Sequence, residues 1–239
     1  MKANPLSFIF KEYPVAVETG TYIGKTAFEF AKFFKEVYTI ELDEGLFRQA
    51  SEFLEPIPNV FCYQGDSSHI LKTELIEKLN QKNEKVFFYL DAHWSGDDSV
   101  DWENSIWKGA WSWTRGRNTA HRGTTHNPTP QEQNPLEEEL MYIYNSFKKE
   151  CVIVIDDWDK MGSDGIGLKN NQFIGEDWSH INYNKILNCI RDRVVGEPTV
   201  IADVLWQVAD LVGHPPNFPK NEEKDGFGTM LVLKLDKKK

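Results

Sequence analysis

Strand-length apolar runs alternate with amphipathic ones through the first two thirds of this chain. "YPVAVET" (Tyr13–Thr19), "EVYTIEL", "NVFCYQG", "KVFFYLDAH" and "CVIVIDDWD" are apolar along their length rather than at every second residue. A strand covered on both faces reads this way. Between them lie "GKTAFEFAKFFKE" (Gly24–Glu36), "EGLFRQASEFLE" stopped by Pro56, "SSHILKTELIEKLNQK" and "NPLEEELMYIYNSFKKE", each with apolar residues at helical spacing. Asn134 is the expected cap of the last of these, with Pro135 at its first position. The alternation predicts an α/β fold: a doubly wound, mostly parallel sheet with helices on both faces. "HINYNKILNCIRDRV" predicts a further helix, and "TVIADVLWQVADLVG" and "GTMLVLKLDK" a closing antiparallel pair of strands, seven in all.

One stretch breaks the rhythm. After the fourth strand, residues 95–134 show no strand or helix pattern, an unusual length inside a compact domain. Five of the eight tryptophans lie from Trp94 to Trp113, and Lys108, Arg115, Arg117 and Arg122 stand in a region without acids. This insertion is expected to pack a small core of its own, or to cover an acceptor as a lid. Its aromatic content also suits contact between copies of the chain. Otherwise 239 residues fit one domain over residues 1–239.

Bulk properties narrow the function classes. A net charge of −10 argues against general nucleic-acid binding. No apolar run reaches the roughly 20 residues that span a bilayer, and the start lacks a small-residue cleavage site, so neither a membrane span nor a signal peptide is expected. Cys62, Cys151 and Cys189 are scattered and odd in number, which fits a reduced, cytoplasmic setting.

The chemistry-bearing residues gather at strand ends, where open parallel sheets bind ligands. The first strand ends in Glu18-Thr19-Gly20, the second in Glu41, and the third leads into Gly65-Asp66-Ser67. The fourth ends in Asp91-Ala92-His93 and the fifth in Asp156-Asp157. Any one acid reads as a cap or a solvated turn; five at one edge point to a site. Within "VETGTYIGKT", Gly20 and Gly24 allow close backbone approach. The spacing is one residue short of a phosphate loop, since only Thr21, Tyr22 and Ile23 separate the two glycines. An acid after the second strand suits ribose hydroxyls, and Asp66 with Ser67 suits an adenine amino group.

These residues resemble the class I S-adenosylmethionine-dependent methyltransferases over roughly Val15–Asp159. The resemblance implies a Rossmann-like sheet, with Gly20, Thr21, Tyr22 and Gly24 facing the cofactor's methionine portion and Glu18 near its ammonium group. Glu41 would hold the ribose, and Asp66 and Ser67 would meet the adenine, with Asp91 also at the cofactor. Tyr22 replaces a glycine found in many members, and the turn is closest to the metal-dependent sugar and macrolide O-methyltransferases. That branch implies a hydroxyl acceptor, sugar-like or another polar small molecule or glycan, and Mg²⁺ or a similar ion. Asp91, Asp156 and Asp157 are the expected ligands, being hard oxygen donors at adjacent strand ends. His93 is the expected base, working with Asp91. Asp159 is a reserve ligand; His69, His121, His126, His180 and His214 are expected to be structural or exposed.

Three other readings stand beside it. "VIVIDD" after a glycine loop fits an ATPase, "DWD" fits a glycosyltransferase using a metal and a nucleotide sugar, and the fold alone fits a binding module.

Overall fold

A computed structural model provides the fold and describes residues 7–93, 113–114, 117–118, 134–158, 161, 178, 180–202 and 229–238. The main sheet has seven strands: β1 Val15–Thr19, β2 Glu36–Glu41, β3 Val60–Gln64, β4 Val86–Leu90, β5 Cys151–Ile155, β6 Thr199–Ala202 and β7 Thr229–Leu235. Their spatial order is 3-2-1-4-5-7-6. β1 to β5 are parallel, and β7 runs antiparallel to both β5 and β6. This is the doubly wound arrangement with its final strand inserted beside the fifth. The direction of winding reverses between β1 and β4, and in open sheets of this kind the binding crevice lies outside the carboxyl ends of the two strands at such a reversal.

The helices are α1 Ser7–Glu12, α2 Lys25–Phe30, α3 Glu44–Leu54, α4 Ser67–Ile70, α5 Ile76–Gln81, α6 Leu136–Ser146 and α7 Tyr183–Ile190. Strand alternation sends successive side chains to opposite faces, so the sheet carries two cores. On one face Val15, Val17, Phe88 and Ile153 pack with Leu71, Leu75, Leu140, Ile143 and Ile186. On the other, Ala16, Phe87, Tyr89 and Val152 meet Phe10, Ala27, Phe30 and Phe34. Every residue of β1, β4 and β5 is buried, as the apolar runs of β4 and β5 require; in β1 this includes Glu18 and Thr19. Burial of this kind contributes roughly 25 cal/mol per Å² of apolar surface and is the main force holding the layers together.

Two helices differ from their sequence pattern. The helix expected over Gly24–Glu36 ends at Phe30, after which Lys32 and Phe33 bond three residues back. The tighter turn lets Phe33 and Phe34 stack on Phe10 and Phe87, and lets the Lys35 N–H reach Pro14 O. The helix expected after Ser67 contains a π turn at Leu71–Leu75 between α4 and α5. Pro135, not Asn134, holds the N-cap position of α6, one residue later than expected, while Asn134 Oδ1 accepts from the Leu136 N–H at 3.1 Å. A short hairpin pairs Trp113–Thr114 with Arg117–Asn118; the remainder of the tryptophan-rich insertion, with His121, His126, Asp159 and His214, lies outside the described residues. No helix among the described residues is long and apolar enough to cross a membrane.

Candidate active site at the strand ends

The turn after β1 is built on left-handed backbone. Gly20, Tyr22 and Gly24 have φ of 83°, 51° and 81°. At Gly20 the reason is contact as well as conformation: a Cβ there would lie 2.4 Å from the Asp91 carbonyl oxygen. The β1 and β4 turns therefore touch backbone to backbone at the crevice. Gly20 and Thr21 N–H groups both donate to Ile40 O, which pins the turn against β2.

Glu41 completes that junction. One carboxylate oxygen accepts from the Tyr22 N–H at 2.8 Å and the other from the Asp43 N–H at 2.8 Å. Its burial pushes the pKa up to about 7, against the pull of those backbone donors. Each oxygen keeps acceptor capacity beyond the bond it makes. Glu18 lies beneath the turn, fully buried, accepting from Thr39 Oγ1 at 2.6 Å, while Thr39 also bonds Thr21 Oγ1 at 2.5 Å. Desolvation holds Glu18 well above the usual carboxylate range, and the charges of Asp91 and Glu41 add to this. Thr26 bonds Glu18 as well, so its hydroxyl points into the protein.

After β3, Asp66 caps α4. Its Oδ1 accepts from the His69 N–H at 2.8 Å and from Ser68 Oγ at 2.7 Å, and the residue is exposed. Ser67 is turned inward and donates to Glu139.

The ends of β4 and β5 bring three groups together. His93 Nε2 lies 3.1 Å from Asp91 Oδ1 and 3.0 Å from Asp157 Oδ2. One donor atom from each of Asp91, His93 and Asp157 falls within a 4.8 Å cluster. Asp157 holds φ at 51°, a strained setting for a non-glycine residue that turns its carboxylate to this cluster. Asp156 is placed differently from the expected ligand. It accepts from Tyr89 Oη at 2.7 Å and from the Asp157 N–H at 2.8 Å, and stands outside the cluster. Burial first, then the charges of Asp91 and Asp157, push it up to about 8. Trp178 stacks edge-on against His93, with ring centroids 5.5 Å apart.

Glu139 is the residue that reading the sequence missed. It is 1% exposed on α6, bonded to Ser67 and Thr19, and burial pushes its pKa up to about 8, the charges of Asp66 and Asp91 adding to the rise. The signal was present: Leu136, Leu140, Ile143 and Phe147 mark the apolar face of α6, and Glu139 falls on it.

Among family models none matches the sequence, and among curated proteins none does. Solved structures with similar folds include methyltransferases. An O-methyltransferase, TomG from Streptomyces achromogenes, in complex with SAM, is 13% identical, with 98% of this chain and 77% of that one covered at a TM-score of 0.48. A putative S-adenosylmethionine-dependent methyltransferase from Listeria monocytogenes is 14% identical, with 100% of both chains covered and a TM-score of 0.47. An rRNA methylase from Streptococcus thermophilus is 12% identical, with 96% and 93% covered and a TM-score of 0.47.

Proposed function

We propose that this chain is an S-adenosylmethionine-dependent O-methyltransferase whose acceptor is a hydroxyl of a sugar-like or other polar small molecule, assisted by a divalent ion. The observation that carries this reading is the joint between the Gly20 turn and Asp91 at the sheet's switch point. It sets the strand-end turns that carry Gly20 and Glu41 close to the turn that carries Asp91, a member of the Asp91–His93–Asp157 cluster, at the edge where such sheets bind nucleosides.

The residues fit such a cofactor. The backbone of Gly20–Gly24 would lie against its methionine portion, Glu41 would accept from ribose hydroxyls, and Asp66 would accept from the adenine amino group. Glu18 serves beneath the turn, holding Thr39 and through it Thr21. When bound, the cofactor supplies an electrophilic methyl group on a sulfonium, so the protein's work is alignment and removal of one proton.

The donor set also fits an ion. Asp91 and Asp157 offer hard oxygens, and a cation there would relieve the repulsion among Asp91, Asp156 and Asp157. Asp156 would orient Asp157 through its backbone bond. His93 would take the acceptor's proton, imidazole being a base of the kind this task needs. The near-equal distances from His93 Nε2 to the two carboxylates favour a second role, that of third ligand, which would shift the preference from Mg²⁺ towards Mn²⁺ or Zn²⁺.

The inward-facing Thr26 counts against a phosphate loop, because its hydroxyl would there have to meet an ion or phosphate. Calorimetry with S-adenosylhomocysteine, ATP and a nucleotide sugar tests the proposal. Binding of the first alone is expected. Binding of ATP or the sugar nucleotide without S-adenosylhomocysteine would end it.

A further inference from the structure

The carboxyl of Glu139 comes from a helix that follows the long insertion, and it reaches Ser67, expected at the adenine, from the protein interior. It joins two elements at the strand ends. Ser67, at the start of α4, donates to Glu139 Oε1. Thr19, the last residue of β1, bonds the same carboxyl, and the Asp91 N–H donates to both Thr19 Oγ1 and Thr19 O, each at 3.2 Å. Next to it, Glu138 Oε2 lies 3.1 Å from Ser68 Oγ, whose single proton is shared with the shorter bond to Asp66. An acid 1% exposed in an otherwise apolar layer is costly unless fully satisfied, and here both partners are hydroxyls at the two walls of the crevice.

We infer that Glu139 is a positioning residue: it fixes the Asp66–Ser67 wall and the Thr19–Asp91 wall of the crevice relative to each other, through Ser67 and Thr19. As a role in cofactor binding this rests on the methyltransferase reading; as a tie between the two walls it stands alone. A side chain filling space would be replaced by leucine without loss, whereas a positioning group needs its polar atoms. Glutamine retains them, since its amide oxygen accepts from Ser67 and its nitrogen reaches Thr19.

Two measurements on Glu139→Gln and Glu139→Leu separate these cases. Hydrogen exchange needs no ligand: the Asp91 N–H is expected to lose at least about tenfold of its protection in the leucine variant and to keep it in the glutamine variant. Titration with S-adenosylhomocysteine is expected to show affinity within about threefold of wild type for glutamine and at least about tenfold weaker for leucine. Wild-type exchange and affinity in a cooperatively melting leucine variant would overturn the inference, as would equal losses in both variants. If the leucine variant does not fold, Thr19→Val replaces it, and unchanged Asp91 protection there is the overturning result. If wild type binds no S-adenosylhomocysteine, the methyltransferase reading fails while the exchange result still decides the tie.

Discussion

The Tyr22 N–H donates to Glu41 at 2.8 Å, joining the turn after β1 to the end of β2 through a carboxylate that is almost fully buried. The glycine turn and Glu41 are thus one structural unit, since moving either moves the other. Removing the carboxylate leaves the Tyr22 and Asp43 N–H groups without their acceptor. Glu41→Ala is expected to lower stability by about 2 kcal/mol, seen as a lower urea midpoint, and to abolish S-adenosylhomocysteine binding in calorimetry.

Gly20→Ala probes the contact between the two turns. The added Cβ would need space held by the Asp91 carbonyl 2.4 Å away, on a backbone with φ of 83°. Both effects act in the folded state, so a loss of about 2 kcal/mol or more is expected. The same change at Gly196, where a Cβ meets nothing within 4 Å, carries only the φ penalty and is expected to cost less. Equal denaturation midpoints for the two variants would contradict this.

Stability should fall as the solution is made more alkaline. Glu41 and Glu139 are pushed up to about 7 and about 8 in the folded protein. In the unfolded chain they ionise near about 4.3. The folded state therefore holds more protons between those values, and its advantage, complete below about pH 4, is lost as pH rises through the folded values. Across that range each group contributes on the order of 4–5 kcal/mol. Melting temperature without ligands is expected to be higher at pH 5.5 than at pH 8.5, with a flatter profile in Glu139→Gln.

The cluster at β4 and β5 predicts an order of effects on ion binding, read by calorimetry with Mn²⁺. Asp157→Asn and Asp91→Asn remove a donor atom and are expected to weaken binding more than Asp156→Asn, whose oxygens face Tyr89 and a backbone N–H. His93→Ala separates base from ligand. As a base, its loss slows turnover by about 10²-fold or more, is partly restored by rising pH, and leaves ion affinity intact. As a ligand, it costs affinity first.

Arg193 tests the far end of α6. Buried to 5% exposure, it donates to the carbonyl oxygens of Tyr144, Lys149 and Asp236. Arg193→Ala strands all three and is expected to cost about 3 kcal/mol in chemical denaturation. Cofactor affinity should change little, since these contacts lie at the opposite end of the helix from Glu139.

The doubly wound sheet was legible because strands buried on both faces are mainly apolar, as β4 and β5 are throughout and β1 is as far as Val17. So was the gathering of acids at one edge, since parallel strands deliver their carboxyl ends together. What each acid touches was decided only by tertiary structure. Asp156 and Asp157 are neighbours in sequence, but a backbone φ of 51° at Asp157 sends one carboxylate to His93 while the other bonds Tyr89. Glu139 looked like one acid among several in "LEEEL" until folding set it against Ser67 and Thr19, residues 72 and 120 positions away. Periodicity and strand-end chemistry are local properties, fixed by the chain itself. Hydrogen-bond partners across a sheet depend on how layers pack, and no short stretch of sequence contains that information.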